Sequence, residues 1–218
     1  LTTYYDNILF YSFLNDSGLW ISENVDFGAA GSNVAPNLAV NSEGTVSLLY
    51  YTWLYSRFNL KTRSYGHWSP HEVICESEHV GRFNSLTMSS GGEPNICYYS
   101  DSATHLKFAE LSGEFWTISP LDPASYFQGE QCDLAISDSD IPHVVYLNSN
   151  NGQLKHSYRP VNSWIHSEIG PISNGLCDIS LDSYGNPHVA YADDMTIKHA
   201  FEDSGNWVNT VVGISDDY

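Results

Sequence analysis

Residues 176–212 read LCDISLD (176–182), NPHVAYADD (186–194), TIKHAFEDSG (196–205) and NWVNTVV (206–212), and their reading decides the fold. Each run alternates apolar and polar residues. Each is closed by a turn signal: Tyr184-Gly185-Asn186, Asp193-Asp194, then Asp203-Ser204-Gly205. Period-two alternation over such short runs is the pattern of half-buried β-strands. Four of them in succession predict one antiparallel meander.

The same unit recurs upstream. Trp20, Trp68, Trp116 and Trp164 are each 48 residues apart, and Trp207 follows after 43. Tyr50, Tyr98, Tyr146 and Tyr191 share a phase, and so do Lys61, Lys107, Lys155 and Lys198. The first strand of each unit reads NLAVN (37–41), SLTMS (85–89), DLAIS (133–137) and DISLD (178–182). A repeat of about 40–50 residues points to a propeller or similar array. The expected fold is therefore all-β, a single propeller domain spanning residues 1–218. Its four-stranded antiparallel blades number about five, at about 1–30, 35–75, 83–122, 131–170 and 176–213. Residues 1–30 supply a second, third and fourth strand but no inner one. Either the ring closes at five blades, or it belongs to a larger ring. Closure at five, with terminal strands meeting in one blade, is the favoured reading.

The wording of Leu181-Asp182-Ser183-Tyr184-Gly185-Asn186-Pro187-His188-Val189-Ala190-Tyr191, followed by Ile197-Lys198-His199-Ala200 and Trp207, resembles tandem blades of secreted bacterial and archaeal β-propellers. Those belong to the broad sialidase-like and lectin-like propeller assemblage. The resemblance implies the fold and a secreted, lectin-like setting. The sialidase Asp-box is not reproduced, and Arg57, Arg63, Arg82 and Arg159 stand in no sialidase context, so sialidase activity is not implied.

Composition narrows the partners. Eight basic against 26 acidic residues give a net charge of −18. Such a surface repels phosphate backbones and anionic bilayers, which excludes nucleic acid and membrane surfaces as partners. No apolar run is long enough for a transmembrane helix. The chain begins at Leu1, which fits a removed leader, and Asn15-Asp16-Ser17 is a glycosylation sequon in an expected turn. An extracellular location follows as an expectation. The four cysteines, Cys75, Cys97, Cys132 and Cys177, allow two disulfides in any of three pairings, or buried thiols. Cys132 and Cys177 hold equivalent places on adjacent inner strands, where a bond would tie two blades.

Residues that break the repeat are the candidates for function. The second-to-third strand loop of the second blade is read as enlarged, and it carries Trp53, Tyr55 and Arg57. Exposed aromatic rings beside a guanidinium make a stacking platform with donors, which sugar faces require. Tyr126 and Phe127, between the third and fourth blades, are a second set of the same kind. Asp133 and Asp178 head two inner strands. A glycoside hydrolase would need such a carboxylate pair about 5–9 Å apart, but plain structural bonding suits repeated residues better. Paired histidines at His143, His156, His188 and His199 lack zinc-ligand spacing. The turns Asp138-Ser139-Asp140 and Asp182–Asn186 are oxygen-rich, so calcium is considered there, but no EF-hand loop exists and no cofactor is expected. The expected function is a secreted carbohydrate- or glycoprotein-binding module. The alternative is an adhesive homo-oligomer or filament, assembled by strand addition at the incomplete first blade.

Overall fold

The computed structural model describes residues 8–27, 36–52, 57–76, 80–100, 103–123, 128–173 and 176–214. Among them there are only strands, turns and bends, and every strand pairing is antiparallel. The first sheet pairs β1 (Ile8–Leu14) with β2 (Trp20–Phe27). The second holds β3 (Asn37–Val40), β4 (Val46–Thr52), β5 (Arg57–Ser64), β6 (His67–Trp68) and β7 (Glu72–Glu76). The third is built from β8 (Val80–Met88), β9 (Pro94–Ser100), β10 (His105–Ser112) and β11 (Phe115–Pro120). The fourth takes β12 (Gln128–Ile136), β13 (Pro142–Asn148), β14 (Gln153–Tyr158) and β15 (Ile165–Pro171). The last contains β16 (Cys177–Leu181), β17 (Pro187–Asp193), β18 (Thr196–Asp203) and β19 (Asn206–Ile214). Strand order follows the chain, apart from β6 and β7, which share the outer edge beside β5. That outer strand breaks at Pro70, which has no N–H to give the ladder. Ser69 bridges the gap, its N–H donating to Thr62 O and its hydroxyl oxygen accepting from Thr62 N.

The turn after each inner strand is set by one side chain. Asn41 Oδ1 accepts from the N–H groups of Glu43 and Thr45, and Asp182 Oδ1 from those of Tyr184 and Asn186. The hydroxyl of Ser137 does the same for Ser139 and Ile141. Short polar side chains at a turn start offer the backbone this substitute for a ladder bond. Gly44 and Gly185, at φ +80° and +83°, supply the left-handed residue that these turns then need.

Apolar burial is divided among the boundaries between sheets. Val25, Leu48 and Tyr50 join the first two sheets. Leu49, Phe58 and Leu60 meet Leu86, Ile96 and Tyr98 at the next boundary. Leu106, Phe108 and Leu121 meet Leu134, Val144 and Tyr146, and Val145, Leu154 and Ile169 meet Ile179, Val189 and Tyr191. The second strands β4, β9 and β13 are buried along their whole length. They were expected to be half-buried. Covered on both faces, they carry nearly unbroken apolar runs, LLYY, ICYY and VVYL.

Each repeat tryptophan after the first packs on the preceding sheet. Trp68 lies edge-on to Tyr11, Trp164 to Phe108 and Trp207 to His156, with centroids 5.2–5.4 Å apart. Trp116 donates its indole N–H to Glu72 at 2.6 Å.

Two expectations need correction. The favoured closed ring is not present among the described residues: the first and last sheets each leave one face open. The reason is visible in β17, where burial alternates instead of running unbroken. The expected second strand of the first blade, residues 2–7, lies outside the described residues. The second correction concerns register. The second-blade loop is not enlarged: Thr52 pairs with Arg57, leaving four residues between them, just as Ser100–His105 and Asn148–Gln153 do. Asn59, opposite Tyr50, takes the place that Lys107, Lys155 and Lys198 hold opposite Tyr98, Tyr146 and Tyr191. Lys61 is displaced by two residues and donates to Val25 O of the first sheet at 2.7 Å.

Candidate functional site

Of the two hub acids, Asp133 is a structural tie. Asp133 accepts from Ser85 Oγ at 2.7 Å with one oxygen and from Ile179 N at 2.9 Å with the other. One carboxylate thus joins the inner strands of three consecutive sheets. Asp178 is exposed, yet partial desolvation, with Asp133 second, holds its pKa above the ordinary carboxylate value. Replacing Asp133 with Ala strands the N–H of Ile179 and the hydroxyl of Ser85, for an expected loss of about 2–4 kcal/mol. Asp133→Asn recovers most of it, since an amide accepts from Ile179 N and donates to Ser85. Chemical denaturation of the two variants measures this difference.

The cysteines, read as either disulfides or thiols, form no disulfide. All four are free thiols. Cys132 sits 3.4 Å from Cys97 Sγ, not against Cys177, whose sulfur points to Gln131 O at 3.9 Å. The second strand of one sheet packs on the inner strand of the next, so β9 brings Cys97 to β12. Burial and Asp133 push the Cys177 thiol up to about 12. Cys75, on β7, packs in a different boundary from Cys97.

Of the expected platform, Trp53, Tyr55, Tyr126 and Phe127 lie outside the described residues. Arg57 heads β5, half-buried, and its carbonyl accepts from Asn59 Nδ2 at 3.1 Å. Asn15 does occupy a turn, its Oδ1 accepting from Ser17 N and Leu19 N. The oxygen-rich turns are engaged internally. Asp182 caps its own turn, and Asp140 receives the N–H and the hydroxyl of Ser90 from the third sheet, both at 2.6 Å. Among the described residues no group of three or more His, Cys, Asp or Glu side chains is placed to hold a metal ion.

A constellation that spacing did not single out appears at two boundaries. Arg159 follows β14, pairs with Glu110 of the third sheet, and lies over Phe108 and Trp164 at 5.0 and 5.4 Å. Arg63 of the second sheet pairs with Glu23 of the first at 2.5 Å and lies over Phe13 and Tyr11 at 4.8 and 5.5 Å. Trp68 donates its indole N–H to the same Glu23 oxygen. Both arginines lie opposite the repeat tryptophan at the end of a hairpin, Arg63 in direct register with Trp68. That shared position is the signal in the sequence: each arginine stands five residues before its tryptophan, and the two are 96 residues apart, two repeats of 48. Glu110 also lines a cleft of about 290 Å³ between the third and fourth sheets, with Ser90, Glu93, Asn95, Ser112 and Asp140. A larger cleft of about 370 Å³ separates the fourth and last sheets, lined by Ser137, Asp138, His143, Asp182 and the exposed Tyr184.

No protein-family model matches the chain, and comparison with curated proteins finds no similar sequence. Similar folds are found among solved structures. A lectin of Aleuria aurantia, an N224Q mutant in complex with Fucalpha1-6GlcNAc, aligns with TM-score 0.66 at 16% identity over 88% of this chain and 66% of its own. An ulvan lyase of a new polysaccharide lyase family aligns with TM-score 0.61 at 10% identity, over 92% and 60%. An exo-β-1,3-galactanase of Phanerochaete chrysosporium aligns with TM-score 0.55 at 13% identity, over 96% and 54%. The chain thus spans about two thirds or less of the length of these proteins. At these identities the likeness establishes the fold alone: an all-β, propeller-like array of antiparallel sheets.

Proposed function

We propose that the chain is a secreted, lectin-like module that binds carbohydrate at the boundaries between neighbouring sheets. The observation that carries this reading is the twice-built cluster of arginine, glutamate and aromatic rings. Sugars present hydroxyl groups on their edges and C–H groups on their faces. An arginine offers five N–H donors, of which a single carboxylate engages only some. The glutamate accepts from hydroxyls, and Trp164 or Trp68 offers an apolar ring face. The cleft beside Glu110 adds Ser90, Asn95 and Ser112 as further polar partners. The fold shared with a lectin that holds a fucosylated disaccharide supports the same reading. Binding is favoured over glycoside hydrolysis because both oxygens of Asp133 are committed to the hub. The loop carrying Trp53 and Tyr55 ahead of Arg57 is a second contact surface in this proposal.

The test is titration of the chain with a panel of monosaccharides, fucose among them, followed by tryptophan fluorescence. Arg159→Ala and Arg63→Ala are each expected to weaken binding at least tenfold at their own boundary, the size of one lost charge-assisted contact. Far-UV circular dichroism checks that the fold is kept. Unchanged affinity in both variants contradicts the assignment.

A further inference from the structure

Within the chain, one kind of contact is repeated four times, and it has two unlike halves. The leading half is the sheet face bearing the repeat tryptophan. The receiving half is the face of the preceding sheet, best seen on the fourth: His143, Val145, Tyr158, His156 and Leu154, with Trp207 edge-on to His156. Among the described residues, each half is also present once without its complement. On the last sheet, register makes His188, Ala190, Phe201, His199 and Ile197 the counterparts of those five residues. The internal geometry is the same: His143 Nδ1 meets His156 Nε2 at 3.0 Å, and His188 Nδ1 meets His199 Nε2 at 3.0 Å. Phe201 stacks beside its pair as Tyr158 does. Only the cover differs. Leu154 is 0% exposed, whereas Ile197 is 48% exposed.

The first sheet is the mirror case. Leu9 and Tyr11 pack towards the second sheet, so Phe10, Leu14 and Trp20 face the other way. Trp20 is 72% exposed, and Phe10 and Leu14 are each 57% exposed. Exposed apolar residues gathered on one face of a sheet mark an interaction surface.

We propose that a second copy of this chain seats its first sheet on the open face of the last sheet, with Trp20 of the second copy edge-on to His199. The occupant is fixed by continuity with the contact already made inside the chain, which needs a tryptophan-bearing leading face. Among the described residues, this chain presents one such face, uncovered. The contact is face to face, unlike strand addition at a sheet edge, and it is head-to-tail, so it propagates or closes into a ring. Each copy carries a net charge of −18, so association strengthens with added salt as that repulsion is screened.

The test is light scattering of the full chain over a wide concentration range, with Trp20→Ala and Phe201→Glu. The wild-type chain is expected to form concentration-dependent dimers and larger species. Either variant alone is expected to weaken association at least tenfold. An equimolar mixture of the two variants restores a dimer and nothing larger, because one keeps the receiving face and the other keeps the tryptophan. Two results overturn the proposal. One is a wild-type monomer at every concentration whose Trp20→Ala difference emission is that of a buried indole, because the chain's own first sheet then covers the face. The other is a monomer with Trp20 exposed, or association that both variants leave intact. Circular dichroism of each variant separates lost association from lost fold.

Discussion

From pH 6.5 down towards pH 4 the chain loses about 1.4 kcal/mol of stability per pH unit for each of two histidines, His143 and His156. Both are buried between the fourth and last sheets, where one ring bonds the other and Trp207 closes the site. Burial holds His143 down to about 4, and burial together with His143 holds His156 down to about 3. Nδ1 of His156 is buried with no hydrogen-bond partner, so a proton placed there finds no acceptor. The unfolded chain takes up protons near the ordinary value of 6.5, well before the folded chain does. Stability is therefore full above pH 6.5 and falls as pH falls through the window between the unfolded and folded values. Domains of this kind are stable by only about 5–15 kcal/mol, so acid unfolding begins near pH 4. Lowered carboxyl values at Asp140 and Asp193 act only at still lower pH. Urea denaturation across this range measures the slope. The double variant His143→Leu, His156→Phe removes both partners together and is expected to flatten it; an unchanged slope refutes the assignment.

Phe108→Ala is expected to cost about 3–5 kcal/mol, the usual range for a fully buried aromatic ring. Phe108 is 0% exposed, lies edge-on to Trp164 of the next sheet and supports the Arg159 guanidinium. At this chain length the thermal midpoint falls by on the order of 10 °C. Arg159 also loses its aromatic floor, so under the proposed function sugar affinity at that boundary is expected to fall with stability. Differential scanning calorimetry reads the first effect. A loss under about 1 kcal/mol would mean that contacts between sheets are not what hold the array together.

The fold was legible because each sheet repeats the same chemistry. The strings NLAVN, SLTMS, DLAIS and DISLD gave the inner strands, and their final residues, Asn41, Ser89, Ser137 and Asp182, prove to cap the turns. The tryptophan spacing marked the start of every outer strand to within one residue: β2 begins at Trp20, β6, β11 and β19 one residue before their tryptophan, and β15 one residue after Trp164. Register inside a hairpin was less legible. Lys61 stands 11 residues after Tyr50, whereas Lys107 and Lys155 stand 9 after Tyr98 and Tyr146, so Asn59 and not Lys61 takes the lysine place opposite the tyrosine. Contacts between sheets were the least legible. The Arg159–Glu110 pair joins residues 49 apart, and nothing local in either segment signals the other. The Cys97–Cys132 approach was missed likewise, since reasoning from equivalent positions pairs inner strand with inner strand, whereas the packing sets a second strand against the next inner one. Ring closure was inferred from how propellers end, yet alternation in β17 marks an uncovered face.

The most direct test of the account is a glycan array probed with the labelled full chain beside its Arg63→Ala, Arg159→Ala double variant. The account predicts signal on a restricted set of glycans from the wild-type chain and loss of that signal in the folded double variant. A blank array, or a signal the double variant retains in full, would contradict carbohydrate recognition at the boundaries between sheets.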